Sequence, residues 1–348
     1  MTVTAPPRPP RPSDPVDREE LEALVEALIE EARQRARRRR RIYAAVAAFL
    51  ALVAIAVFTV LERTAQTQSA SPALAARSSL AGGTPSSKIA FIRMFRPQSN
   101  TALYVMNADG SGERRLTGKA WLDNPAWSPD GQKITFINRS NSNREVYAVN
   151  ADGSGLRNLT RHAAYYDSSP AWSPDARRIA FVSGRDGNSE IYVMNADGSG
   201  QRNLTRNAAP EDLPAWSPDG RKIAFASGSY GNVKIYDMNA DGSGRRNLTR
   251  AWGLDGLPIW SPDGRKIAFE SYRDGDPEIY VINADGSGQR RLTRNPALDN
   301  YPTWSPDGQK IAFVSQRDDK GKGGLVRSEI YVMNADGSGL QRLTHRGS

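Results

Sequence analysis

Two sets of acidic residues recur along this chain at spacings that could do chemistry. Asp123, Asp167, Asp212, Asp255 and Asp299 each stand four or five residues ahead of a tryptophan, and Asp186, Asp274 and Asp318 each directly follow an arginine, Arg185, Arg273 and Arg317. Carboxylates flanked by guanidinium groups could hold a basic peptide segment, a cation or a polar glycan, or serve acid–base chemistry at a sugar ring. The competing reading is that these Asp side chains cap tight turns and accept loop N–H bonds. Other chemistry is poorly supplied. The chain has no cysteine and only His162 and His345, neither near a second ligand or nucleophile partner in sequence. There is no G-x-S-x-G nucleophile elbow, so no catalytic residues and no cofactor are assigned. The string NADGSG alternates calcium-type ligands, but an EF-hand loop needs an acid at its twelfth position. Counted from Asn107, that position is Gly118, so no metal site is assigned.

The elements that must position these residues are legible from repetition. WSPDG occurs at Trp127, Trp216, Trp260 and Trp304, and as WSPDA at Trp172, with spacings of 45, 44, 44 and 44 residues. NADGSG keeps the same phase from Asn107 to Asn334. A period of this length with several strands in each unit predicts propeller blades. In the unit Pro214 to Thr249, SPDG and DGSG read as tight turns, with Gly220 as the left-handed residue of the first. RKIAFAS and VKIYDMN read as strands covered on both faces. RRNLT reads as a polar outer strand, and each Trp is expected to pack between neighbouring blades. The prediction is an all-β, six-bladed propeller of four-stranded antiparallel blades over residues 76–348. Five units are complete, and Ala76 to Gly82 are expected to supply a degenerate inner strand for the first blade. Ala176 in place of the turn glycine is expected to cost about 1 kcal/mol, and residues 318–326 read as an inserted loop. Propeller topology then gathers the Asp and Arg residues on one face around the channel mouth.

The segments ahead of the repeat differ in kind. Residues 1–13 read as a disordered Pro/Arg-rich tail. Residues 14–41 read as an amphipathic helix ending in an Arg cluster. Residues 42–61 form an uncharged apolar run long enough to span a bilayer, and residues 62–75 read as a linker. The arginines just before the run predict a cytoplasmic N-terminus and an extracytoplasmic propeller, anchored in the cytoplasmic membrane by a single pass. The net charge of +9 is diffuse, with no basic face carrying stacking aromatics, so nucleic acid is excluded as a partner.

On PAWSPDG, RKIAF, EIYVMNADGSG and RLT, repeated in register from Lys88 to Ser348, the chain resembles the TolB-type, WD-like propeller repeat family. The resemblance implies a six-bladed propeller that binds other macromolecules. Family members with an N-terminal α/β domain contact a peptidoglycan-associated lipoprotein; this chain carries the Arg-rich segment and apolar run in that place. The expected function is a non-catalytic, membrane-anchored binding or scaffold module for a cell-envelope protein, peptide or glycan. The alternatives are a lyase or hydrolase acting at the channel mouth, and a sensor that signals through the membrane helix.

Overall fold

A computed structural model describes residues 88–344, apart from the short segments 96–99, 108–109, 141–142, 162–165, 230 and 319–327. The tail, the amphipathic and membrane helices, the linker, the expected inner strand at residues 76–82, most of the insertion and both histidines lie outside the described residues.

Six antiparallel sheets follow one another along the chain, and the predicted six-bladed propeller is observed. Blade 1 has three described strands: Lys88–Phe95, Asn100–Asn107 and Arg114–Arg115. Blades 2 to 6 each have four, laid side by side in chain order. In blade 4 these are Glu211–Trp216, Lys222–Ser229, Asn232–Asn239 and Arg246–Asn247. The outer strand is shorter than its sequence suggests. Only two residues pair as a ladder; Thr249 then turns its hydroxyl inward to accept the Ile235 N–H at 3.0 Å.

The turns form for the reasons their residues dictate. The Ser217 hydroxyl donates to Asp219 at 2.6 Å while its oxygen accepts the Lys222 N–H at 2.9 Å, and Gly220 takes φ +68°. Those bonds from Ser217 and from the Arg221 N–H hold the Asp219 carboxyl below its usual range. Ala176 keeps the left-handed conformation, φ +56°, at the glycine position of blade 3. In the second turn Asn239 donates to the Ser243 hydroxyl at 2.9 Å, and a Cβ on Gly244 would meet that amide at 2.8 Å, so only glycine fits.

Between blades the core is mainly apolar. One cluster joins Ile137, Val146 and Leu159 of blade 2 to Trp172, Ile179, Phe181 and Met194 of blade 3. Burying each such side chain contributes about 1.5–3 kcal/mol. The tryptophans pack between neighbours as expected. Trp216, Trp260 and Trp304 each donate the indole N–H at 3.2 Å to an inner-strand carbonyl of the preceding blade: Ala171, Ala215 and Ile259. An arginine clasp runs the other way. Arg114, Arg202, Arg246 and Arg290 of the outer strands donate to the Asp152, Asp241, Asp285 and Asp336 carbonyls in the next blade's second turn.

Candidate functional site

Proline shapes the start of each inner strand. Pro125, Pro170, Pro214, Pro258 and Pro302 have no N–H to give to the sheet, and each inner strand breaks register there. The residue before each proline is left-handed: Asn124, Ser169, Leu213, Leu257 and Tyr301 have φ values of 51°, 50°, 59°, 49° and 55°. Five non-glycine residues in this conformation, each at a cost on the order of 1 kcal/mol, form a repeated strained bulge at the end where the chain enters the blades.

The structure brings most of the predicted pairs together, but inside their own blades. Asp255 accepts the Ser271 hydroxyl at 2.6 Å and Arg273 at 2.8 and 3.0 Å. Asp299 meets Arg317 at 2.9 Å, and Asp167 meets Arg185 at 3.5 Å. All three carboxylates are buried. Each arginine also lies over a tyrosine ring, at 4.6 Å for Arg185 on Tyr192, Arg273 on Tyr280 and Arg317 on Tyr331. The second set is engaged as well. Asp186, Asp274 and Asp318 accept the hydroxyls of Tyr192, Tyr280 and Tyr331. Those bonds hold Asp186 and Asp318 below the usual carboxylate range. Burial, helped by Asp274, pushes the Tyr280 hydroxyl up to about 12. Asp123 pairs with Arg139 at 2.5 Å and Arg144 at 3.1 Å.

Asp212 differs from the rest. Like Asp123 it stands four residues before its tryptophan, but in this blade the buried position five before is filled by an acid, Glu211, where blade 2 has Leu122; sequence reasoning missed it by following residue type instead of register. Glu211 pairs with Arg245 at 2.6 Å. Asp212 is left open to solvent yet walled by protein, accepting the Ser169 hydroxyl at 2.9 Å and the Leu213 N–H at 2.7 Å. Partial desolvation lifts its carboxyl above the usual range. A second missed acid is Glu270, which interrupts the apolar run of its strand where other blades have Val182, Ala226 and Val314. It sits opposite Gly256, where a Cβ would lie 3.5 Å from Glu270 Oε1. It accepts the Tyr301 N–H of the next blade, and burial pushes its pKa up to about 7. On the following inner strand Asn300 is buried, with its Oδ1 unpartnered among the described residues.

Successive blades are also tied beneath this surface. Asn295 donates its backbone N–H to Glu278 of blade 5 at 3.1 Å and its side-chain amide to Asp299 of blade 6 at 2.5 Å. Exposed aromatics gather at the same end of the blades. Trp121 (51% exposed), Tyr166 (47%), Trp252 (77%) and Tyr272 (41%) all lie at inner-strand entrances or just after second strands. Exposed aromatic side chains at the same end of the blades as acids without an ion pair are the anchors a protein–protein contact uses.

The model of the family described as TolB beta propeller domain matches residues 81–253 and 243–348. A search of curated proteins found no match. Among solved structures, a protein designated TolB from Agrobacterium tumefaciens is 27% identical with a TM-score of 0.55, over 67% of this chain and 84% of that one. TolB from Acinetobacter baumannii is 22% identical with a TM-score of 0.60, over 73% of this chain and 63% of that one. The oligogalacturonate lyase of Vibrio parahaemolyticus shares 18% identity with a TM-score of 0.59, over 75% of each chain. At that identity the lyase likeness is one of fold.

Proposed function

The chain belongs to the TolB β-propeller family, and from that premise we propose that it is a non-catalytic binding module whose inner-strand entrance face docks a protein segment carrying a basic side chain. The observation that carries this reading is the contrast between acids on that face. Asp123, Asp167, Asp255 and Asp299 face arginines within hydrogen-bond reach. Asp212 and Glu270 have no ion pair among the described residues, and exposed aromatics lie at the same end of the blades, Tyr272 two residues along the chain from Glu270. A lysine or arginine of a partner would neutralise them, and Trp252 and Tyr272 would cover its apolar stem. The arginines a lyase-type site would use, Arg185, Arg273 and Arg317, are stacked and ion-paired within the blades, which favours binding over turnover. The apolar run at residues 42–61 would tether this module at a membrane with the propeller outside the cytoplasm, and a cell-envelope protein is the corresponding partner class.

The test is a cross-linking pull-down with the full-length chain from envelope extracts, against the same chain carrying Asp212→Asn and Glu270→Gln together. A specific protein captured by the parent and lost from the double variant, with the variant still melting cooperatively and no lower than the parent, supports the reading. Equal capture by both chains, or none by a folded parent, would falsify it. Capture of glycan alone would redirect it to the carbohydrate alternative.

A further inference from the structure

The turn-bearing face, opposite the inner-strand entrances, carries a second feature that the docking reading does not use. A groove of about 390 Å³ lies between blades 3 and 4, lined by Arg178, Arg202 and Arg221 together with Gly220 and Asp241. We propose that this groove binds a phosphate group.

Arg178 carries the argument. Other blades place a lysine here, and in three of them it reaches an acceptor on the third strand: Lys222 to Asp237 at 2.6 Å, Lys133 to Asn150 at 2.8 Å and Lys266 to Asn283 at 3.4 Å. Blade 3 has Arg178 instead, with Val193 where blade 4 has Asp237, and its guanidinium makes no hydrogen bond to Asn195, the counterpart of Asn150 and Asn283. Among the described residues the Arg178 guanidinium has no hydrogen-bonded acceptor and lies over the Trp216 ring at 4.7 Å. A guanidinium seated over a ring and without an internal acceptor has N–H groups to offer a bidentate oxyanion, which is the geometry phosphate presents. Arg202 is only partly engaged. Arg114 and Arg246 each clasp two carbonyls of the next blade, and Arg246 a carboxylate as well, whereas Arg202, like Arg290, gives one N–H, at 3.0 Å, to the Asp241 carbonyl. Arg221, at the blade 4 turn, is exposed and has no side-chain partner among the described residues. Three guanidinium charges line the groove with one lining carboxylate, Asp241, whose Oδ1 already accepts the Ser243 N–H at 2.9 Å and hydroxyl at 2.7 Å; Asp175 and Asp219 in the adjoining turns feel Arg178 and Arg221 but are each held by a serine hydroxyl of their own turn. The net charge of the lining is positive, and Gly220 puts no side chain into the groove.

The experiment is calorimetric titration of the full-length chain with inorganic pyrophosphate, at low and raised salt. Saturable binding is expected, weakened about tenfold or more by Arg178→Gln combined with Arg221→Gln. Arg265→Gln, at the matching turn of blade 5, should leave it unchanged. Sedimentation with phosphatidylglycerol-containing vesicles, against pure phosphatidylcholine vesicles, identifies the source of the phosphate. Capture that needs Arg178 and Arg221 points to a lipid headgroup; pyrophosphate binding without vesicle capture points to a soluble phosphate compound. No saturable binding of either probe, or undiminished binding by the double variant at the parent's melting temperature, overturns the proposal. Because these residues lie apart from Asp212 and Glu270, its failure would leave the docking reading untouched.

Discussion

Arg245 of blade 4 and Arg273 of blade 5 deliver their guanidinium groups to the same place by different routes. Arg273 follows the second strand, donates to Ser271 and Asp255, and lies 4.6 Å over Tyr280. Arg245 comes from the approach to the outer strand, donates to Ser227 and Glu211, and lies 4.5 Å over Tyr236. In blade 4 the second and third strands pair two residues further, Gly228 with Val233 and Ser229 with Asn232. Ser229, at the position of Arg273, is therefore held in the ladder. The buried carboxylate still requires a cation, and the residue matching Gln201 and Gln289 supplies it.

Arg245→Ala should therefore destabilise the protein by about 3 kcal/mol, since it leaves Glu211 buried without its countercharge. Chemical denaturation would show this as a lower midpoint at unchanged slope. A loss below about 0.5 kcal/mol, the range of ordinary surface substitutions, would refute the pairing.

Glu270 makes stability depend on pH with a definite sign. Its folded pKa, near 7, lies above the usual value of 4.5, so the folded state holds the proton more tightly than the unfolded state does. This group's contribution is present in full below about pH 4.5 and is lost as pH rises through 7. Glu270→Gln should flatten that part of the profile and leave the variant more stable than the parent at pH 8, by about 2 kcal/mol. Parallel denaturation curves at pH 5 and pH 8 decide it; an unchanged difference between the two pH values contradicts the assignment.

Ala176 sits at φ +56° in a turn where four of the other blades have glycine, Gly131, Gly220, Gly264 and Gly308. Ala176→Gly should stabilise blade 3 on the order of 1 kcal/mol, because relief of the left-handed strain exceeds the added freedom of the unfolded chain. A lower melting temperature in the variant would count against this account.

Arg290 donates to the Asp336 carbonyl at 2.8 Å across the boundary between blades 5 and 6. Arg290→Ala should cost about 1 kcal/mol and speed amide hydrogen exchange in the turn at residues 334–339 more than in the equivalent turns. Uniform exchange across all turns would show that the clasp contributes nothing locally.

Trp252 is 77% exposed, so its indole contributes little to folding. Trp252→Ala should leave the melting temperature within about a degree while weakening partner capture several-fold, as removal of an interface anchor does. A large drop in stability would instead assign this side chain to the fold.

The fold was legible because it is written locally and many times over. SPDG and DGSG specify their turns through Ser and Asn side chains a few residues away, the alternation between them fixes strand lengths, and a phase of 44 residues leaves propeller blades as the architecture. The same locality put Asp167 with Arg185, Asp255 with Arg273 and Asp299 with Arg317 within reach of one another. What the sequence left open was which charges remain unneutralised. That depends on register at the proline bulge, which makes Glu211 the buried acid and leaves Asp212 outside, and on contacts between blades, such as the Tyr301 N–H on Glu270. Arg178 belongs with them, since only the neighbouring blade shows that it faces a tryptophan instead of a carboxylate. Turn chemistry acts over a few bonds and can be read along the chain. Desolvation and charge pairing act across the gap between blades, and only the folded ring decides which side chains meet there.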